Sequence, residues 1–236
     1  MHTLLIPTRS VFAATPRTRI IVADLGLSAF RFHAGQAVLA GLADSTVTRP
    51  YSIACSPRQS DHDKAIELLV QVDDVASPDP HLERAEAGTL LRIEGPFGSF
   101  GLPSPLAERR LLLVAGGTGI APLRSIMWDT LEREPDVGIT LIYSARAPEE
   151  FAFLEELGAL ESAHRIELAL TVTRQSASTW TGARGRIDQA LMTAALKTAE
   201  TRCALCGPSG FVADVTALLT QSGVPHDRIV TETYAA

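Results

Sequence analysis

The 236-residue sequence predicts a two-part protein: an antiparallel β barrel or sandwich, followed by an α/β domain built on a parallel sheet. Three observations predict it. Up to about residue 105, short runs rich in Ile, Val and Leu alternate with clusters of Gly, Pro, Asp and Ser, and no helical period of any length competes. Beyond that point, continuous apolar runs alternate with segments whose apolar residues recur at spacings of three and four. With 46% hydrophobic and 20% charged residues, the chain can bury a core in each part.

In the first part, strands are expected at Arg19–Asp24, Gln36–Leu39, Ala65–Val72 and Thr89–Ile93, with a turn near Pro80–Ala85. Pro103 and Pro105 stiffen a linker at Leu102–Ala107, so the domains are expected to span 1–105 and 106–236. In the second part, Leu111–Ala115 is a continuous apolar run suited to a strand buried on both faces. Leu123, Ile126, Met127, Thr130 and Leu131 mark the following helix. Then come a strand at Ile139–Tyr143, a helix at Glu149–Leu157, a strand at Ile166–Val172 and a helix at Asp188–Thr198 that Asp188 caps. A short strand at Cys203–Cys206, a helix at Ser209–Gln221 and a strand at Arg228–Thr231 complete the alternation.

The formal charge of −6 divides into −2 and −4 between the two parts and argues against a nucleic-acid partner, which usually requires a basic excess. The apolar run Leu4–Ile6 is too short for a signal peptide, and no stretch approaches the roughly 20 apolar residues of a membrane span. A cytoplasmic protein is expected. Cys55, Cys203 and Cys206 are too few and too unevenly placed for a disulfide framework.

Gly116-Gly-Thr-Gly-Ile-Ala-Pro122 joins the first parallel strand to its helix. Glycine accepts the backbone angles of a sharp turn, and without side chains Gly117 and Gly119 let phosphates approach the Gly116–Gly119 amides, Thr118 included. Pro122 suits the first turn of a helix, whose free N–H groups favour a pyrophosphate. A plain tight strand-to-helix turn has the same composition. Cys203-x-x-Cys206 suits neither a zinc site, which lacks a second ligand pair, nor a thioredoxin motif, which opens a helix.

Arg49-Pro-Tyr-Ser52, followed by Ile53 and Ala54, resembles the Arg-x-Tyr-Ser flavin signature of the ferredoxin–NADP reductase superfamily. Ala34-Gly-Gln36, Gly95-Pro-Phe-Gly98, the Gly116–Pro122 turn and Cys206-Gly-Pro208 occur in that family's order, and the resemblance runs from about Thr8 to Tyr234. It implies a flavin-binding antiparallel barrel followed by a domain that binds a nicotinamide nucleotide. It also implies FAD, with FMN second to it, and NADH or NADPH as electron donor. The resemblance places Arg49 at the flavin phosphate, Pro50 beside it and Tyr51 against the isoalloxazine face. Ser52 falls near flavin N5, and Val70, Gln71 and Val72 contribute backbone contacts. Cys206, with Gly207 and Pro208, shapes the hydride-transfer pocket, while Cys203 belongs to the core. Arg146 and Arg174 are placed to approach the adenosine end of the coenzyme, and Arg184 and Arg186 add positive charge nearby. Tyr234 covers the flavin, and Glu232 serves proton transfer. No metal site is implied.

One stretch departs from the family pattern. Counting back from Leu82, Ala76 and Asp79 stand where the Gly and Ser of a Gly-x-x-Ser pyrophosphate turn belong. Three cysteines fall short of the four that hold a plant-type iron–sulfur cluster, so electrons are expected to leave for a separate acceptor: a ferredoxin, an oxygenase component or a small molecule. Two other functions fit the same motifs: a reductase that uses flavin as a transient substrate, and an electron-transfer subunit that depends on a partner.

Overall fold

A computed structural model describes residues 2–72, 82–174 and 180–234. The first part contains β1 (His2–Thr15), β2 (Thr18–Asp24), β3 (Ala37–Leu42), β4 (Arg49–Ser52), β5 (Ala65–Gln71) and β6 (Leu90–Phe97). These six strands form one antiparallel sheet in the order β4-β3-β6-β1-β2-β5. Its ends meet where Ile53 bridges Leu68 and the Ala54 amide donates to the Glu67 carbonyl at 2.8 Å, which closes the sheet into a barrel. Ile21, Ile53, Ile66, Leu68, Leu91 and Ile93 fill the interior at full burial. Each contributes about 1.5–3 kcal/mol relative to exposure.

Three elements of the barrel were not expected from sequence: β1, β4 and α1. β1 pairs with β6 through His2–Pro7 and with β2 through Thr8–Thr15. Its inward Ile6 and Thr8 alternate with outward Leu5, Pro7 and Arg9, so the strand reads as half polar and carries a proline. The helix α1 (Pro57–Asp63) has only seven residues and no apolar period. What specifies it is a capping box between Ser56 and Gln59, with Pro57 in the first turn.

The second part contains β7 (Arg110–Gly116), α2 (Ile120–Arg133), β8 (Gly138–Ala145), α3 (Leu154–Ser162), β9 (Glu167–Val172) and β10 (Ala183–Arg184). It ends with α4 (Gln189–Leu196), β11 (Arg202–Pro208), α5 (Ser209–Gln221) and β12 (Ile229–Tyr234). The sheet is parallel throughout, in the order β10-β9-β8-β7-β11-β12. Helices α2 and α3 cover one face through Leu123, Ile126, Met127 and Leu157, and α4 and α5 cover the other through Met192, Leu196, Val215 and Leu219.

The helix expected at 149–157 lies further along the chain. Phe151 is drawn edge-on against Tyr143, with ring centroids 5.0 Å apart, and the Ala152 amide donates to the Tyr143 hydroxyl at 3.2 Å. Phe153 then takes a positive φ of 60°, and α3 begins after it. No helix among the described residues is long and apolar enough to cross a membrane.

The chain runs from β7 outward to β9, then returns to place β11 on the other side of β7. In an open parallel sheet that reversal leaves a crevice at the carboxyl ends of the two strands. Here the crevice faces the barrel, because Ala54, Leu69 and Phe100 share a buried cluster with Leu113, Ile120 and Cys206.

Candidate active site

Two cavities open where β7 and β11 end. The larger, about 750 Å³, has one wall from β4 of the barrel, with Arg49, Pro50, Tyr51 and Ser52 all lining it. β4 lies at the edge of its ladder, paired with β3 through Val38 opposite Tyr51 and Ala37 opposite Ser52, where Pro50 is tolerated. The facing wall comes from Thr118, Gly119 and Pro122 at the start of α2, Cys206 of β11, and Glu232 and Tyr234 of β12. Residues 180 positions apart thereby come into contact: the Ser52 hydroxyl donates to Glu232 Oε2 at 3.5 Å. Cys206 Sγ stands 4.0 Å from the same oxygen.

Burial pushes the Glu232 carboxyl above the ordinary carboxylate range, and the Ser52 hydrogen bond pulls it partly back. Burial also raises the Cys206 thiol, with the Glu232 charge adding to the effect. Cys206 is therefore a neutral, protonated wall of the cavity and no thiolate nucleophile. Cys203 is pushed up to about 12, again by burial. Three residues apart on one strand, the two sulfurs face opposite sides of the sheet, Cys203 among the α4–α5 residues and Cys206 toward the cavity.

The smaller cavity, about 220 Å³, lies across the glycine turn and is lined by Gly116, Gly117, Thr118, Arg146 and Pro208. Gly117 has a φ of +57°, which favours glycine. Gly119 is required by proximity: a Cβ there would stand 2.2 Å from the Cys206 carbonyl oxygen. Tyr234 lines both cavities and donates from its hydroxyl to the Gly116 carbonyl at 2.7 Å. Burial raises the Tyr234 phenol, so it remains a donor at neutral pH.

The other expected residues divide between the cavities and the rest of the fold. Gln71 lines both cavities. Val70 is sealed in the barrel core, and Val72 commits its N–H to the Arg17 carbonyl at 2.8 Å, so neither lines the larger cavity. Gly207 lies beneath the Phe211 ring, which a Cβ would meet at 2.6 Å. Arg174 is exposed just beyond β9, where its N–H donates to the Arg146 carbonyl at 2.9 Å; it is not among the described residues that line either cavity. Arg184 donates to the Trp180 carbonyl at 2.6 Å, and Arg186 pairs with Asp214 at 3.1 Å. Several residues that line these cavities were not expected from sequence, and three of them stand out. Arg17 projects from the β1–β2 turn of the barrel onto the smaller cavity, Leu69 reaches both, and Phe211 roofs Gly116 and Gly207. Arg17 stands in a Thr-Pro-Arg-Thr turn that reads as ordinary solvated surface.

Comparison with known proteins agrees with this geometry. A family model described as an oxidoreductase NAD-binding domain matches residues 113–217. The chain is 35% identical over 167 residues to ferredoxin–NADP reductase B of Sorangium cellulosum, covering 68% of the chain and 65% of that relative. The chain is thus similar in sequence to the ferredoxin–NADP reductase superfamily that its motifs resemble. It is also 40% identical over 118 residues to reductase component 1 of terephthalate 1,2-dioxygenase from a Comamonas species, covering 50% of the chain and 34% of the relative. The chain thus spans between about a third and two thirds of the length of these relatives. The fold matches that of a Neisseria gonorrhoeae ferredoxin–NADP⁺ reductase solved with FAD and NADP, with a TM-score of 0.81, 23% identity and 99% of each chain covered. The departure at Ala76 and Asp79 lies outside the described residues, while Leu82 beyond it is fully buried in the barrel. Among the described residues, no group of three His, Cys, Asp or Glu side chains is placed to hold a metal.

Proposed function

We propose that the chain is a flavoprotein reductase. It takes a hydride from NADH or NADPH onto FAD held by the barrel, residues 1–105, and passes electrons to a separate acceptor such as a ferredoxin, an oxygenase component or a small molecule. Residues 106–236 hold the coenzyme. The observation that carries this reading is the convergence of two distant motifs: Arg49–Ser52 and the Gly119–Pro122 turn face one another across a single cavity of about 750 Å³. That volume lies in the usual range for a site that takes a small molecule or cofactor. The flat Tyr51 ring, the Arg49 fork and the Ser52 hydroxyl on one wall fit the aromatic ring, phosphate and polar edge of a flavin.

When bound, flavin supplies the capacity to accept two electrons with a hydride and to release them singly or as a pair. The protein binds, aligns and shields. Arg49 holds phosphate, Tyr51 supports the ring, and Ser52 donates at the edge where the hydride arrives. The start of α2 at the glycine turn and Arg146 hold the coenzyme pyrophosphate, with Arg17 reaching over from the barrel. Glu232, held protonated more readily than an ordinary carboxyl, keeps a proton within reach of Ser52. Cys206 closes the wall behind the reacting atoms with an uncharged sulfur.

Gel filtration after reconstitution with FAD tests the reading. The wild type is expected to elute yellow and Arg49→Ala to lose flavin. A wild type that elutes colourless would mean that flavin passes through as a substrate, contradicting a resident cofactor.

A further inference from the structure

Arg124 lies on α2, five residues beyond Gly119, and its side chain is 7% exposed. Its Nε and Nη2 grip Glu156 of α3 at 2.8 and 2.6 Å. Its Nη1 donates to Glu67 of β5 at 2.7 Å and to the Ala54 carbonyl at 2.8 Å. The guanidinium also covers the Phe153 ring at 4.5 Å, and Trp128 Nε1 fixes Glu156 from the side at 2.8 Å. One side chain thus ties the helix that carries the glycine turn to the segment two residues beyond Ser52.

The seam continues on either side of Arg124. Ser125 donates to the Cys55 carbonyl at 2.7 Å, and Ser56 donates to Glu132 at 3.0 Å. Residues 54, 55 and 56 are therefore each held by a residue of α2. Glu67 is two positions from Leu69, which lines both cavities.

We propose that Arg124 is a positioning residue: by locking α2 to β5 and to the segment that follows Ser52, it sets the alignment of coenzyme against flavin across the cavity. The proposal rests on the reductase reading above. Replacing a buried ion cluster by apolar residues of similar size is often neutral for stability, so the role assigned to this partly buried cluster is to fix geometry. Arginine is required because its planar fork meets three acceptors at once, whereas the lysine ammonium is a compact point charge on a flexible stem.

The test is stopped-flow reduction of the FAD-loaded protein by increasing NADH or NADPH, with thermal unfolding in parallel. Two variants are compared with wild type: Arg124→Lys, and the charge-free triple variant Arg124→Met with Glu67→Gln and Glu156→Gln. The triple variant leaves no buried charge unpaired. In both, the limiting rate of flavin reduction is expected to fall by about 10- to 100-fold, as for a misplacement of up to 1 Å. Coenzyme dissociation constants are expected to stay within about twofold, because Arg124 lies outside both cavities. A purely structural role would lower the folded, flavin-loaded fraction and leave the limiting rate of that fraction unchanged. A flavin-loaded variant that is reduced at the wild-type limiting rate overturns the proposal and leaves the reductase reading standing. A wild type whose flavin neither coenzyme reduces overturns both.

Discussion

Gly119→Ala isolates the contact on which the site depends. The added methyl would stand 2.2 Å from the Cys206 carbonyl oxygen, 2.5 Å from its carbon and 2.9 Å from the Gly207 nitrogen. All three are backbone atoms, so no side chain can swing aside. Gly119 itself has φ −60° and ψ −8°, angles that alanine adopts freely, so the whole effect comes from this contact. To restore ordinary separation, the glycine turn and the end of β11 must part by about 1 Å. Overpacking of this kind costs about 1–3 kcal/mol. The same displacement shifts the coenzyme turn away from Cys206 within the wall that faces Arg49–Ser52, and a misplacement of about 1 Å lowers rate by roughly 100-fold. Stopped-flow reduction of the reconstituted protein reads the rate, and urea unfolding reads the stability. Gly158→Ala on α3, with no heavy atom within 4 Å of its new methyl, is the control and should be neutral or slightly stabilising. A Gly119→Ala protein that is folded, loaded with flavin and reduced within twofold of the wild-type rate would refute the reasoning.

Three further outcomes follow from the same geometry. Ser52→Ala is expected to slow flavin reduction more than it weakens flavin binding; unchanged stopped-flow traces would remove Ser52 from the transfer site. Arg17→Gln is expected to raise the coenzyme KM by roughly tenfold at low salt and by less at high salt, with kcat little changed, as steady-state kinetics at two ionic strengths can establish. Glu232→Gln is expected to stabilise the protein at pH 7. Because the folded-state pKa of Glu232 is raised, wild type loses stability as pH climbs from the ordinary carboxylate value of 4.5 through the folded value, and the loss persists above it. The advantage of Gln should vanish below about pH 4, where the acid is neutral in both states, and urea midpoints at the two pH values check it.

Elements with strong periodicity were legible in the sequence. β7 is a continuous apolar run buried on both faces, and α5 spans Ser209–Gln221 as its pattern predicts. Elements specified by other means were not. β1 alternates but carries Pro7 and outward polar residues, α1 is set by a capping box, and α3 starts late because Phe151 and Ala152 satisfy Tyr143 instead. At the candidate site, short motifs disclosed the Arg49–Ser52 strand, the glycine turn and Cys206, since each is local in sequence. Arg17, Leu69 and Arg124 were silent, because their surroundings are assembled only when the barrel closes against the second sheet. An arginine in a surface turn and an arginine inside an amphipathic helix look alike on the page; an exposure of only 6% and three acceptors distinguish Arg124. Arg174 shows the converse, since its position after β9 suggested a ligand contact and the structure leaves it outside both cavities.

The central claim is that a hydride crosses the cavity between Ser52 and the glycine turn. It is tested most directly by the anaerobic absorbance spectrum of the FAD-loaded protein before and after one equivalent of NADH, then of NADPH. Bleaching of the visible flavin band by at least one coenzyme, at a rate that Ser52→Ala and Gly119→Ala both lower, is the predicted result. A flavin band that neither coenzyme bleaches would contradict the account.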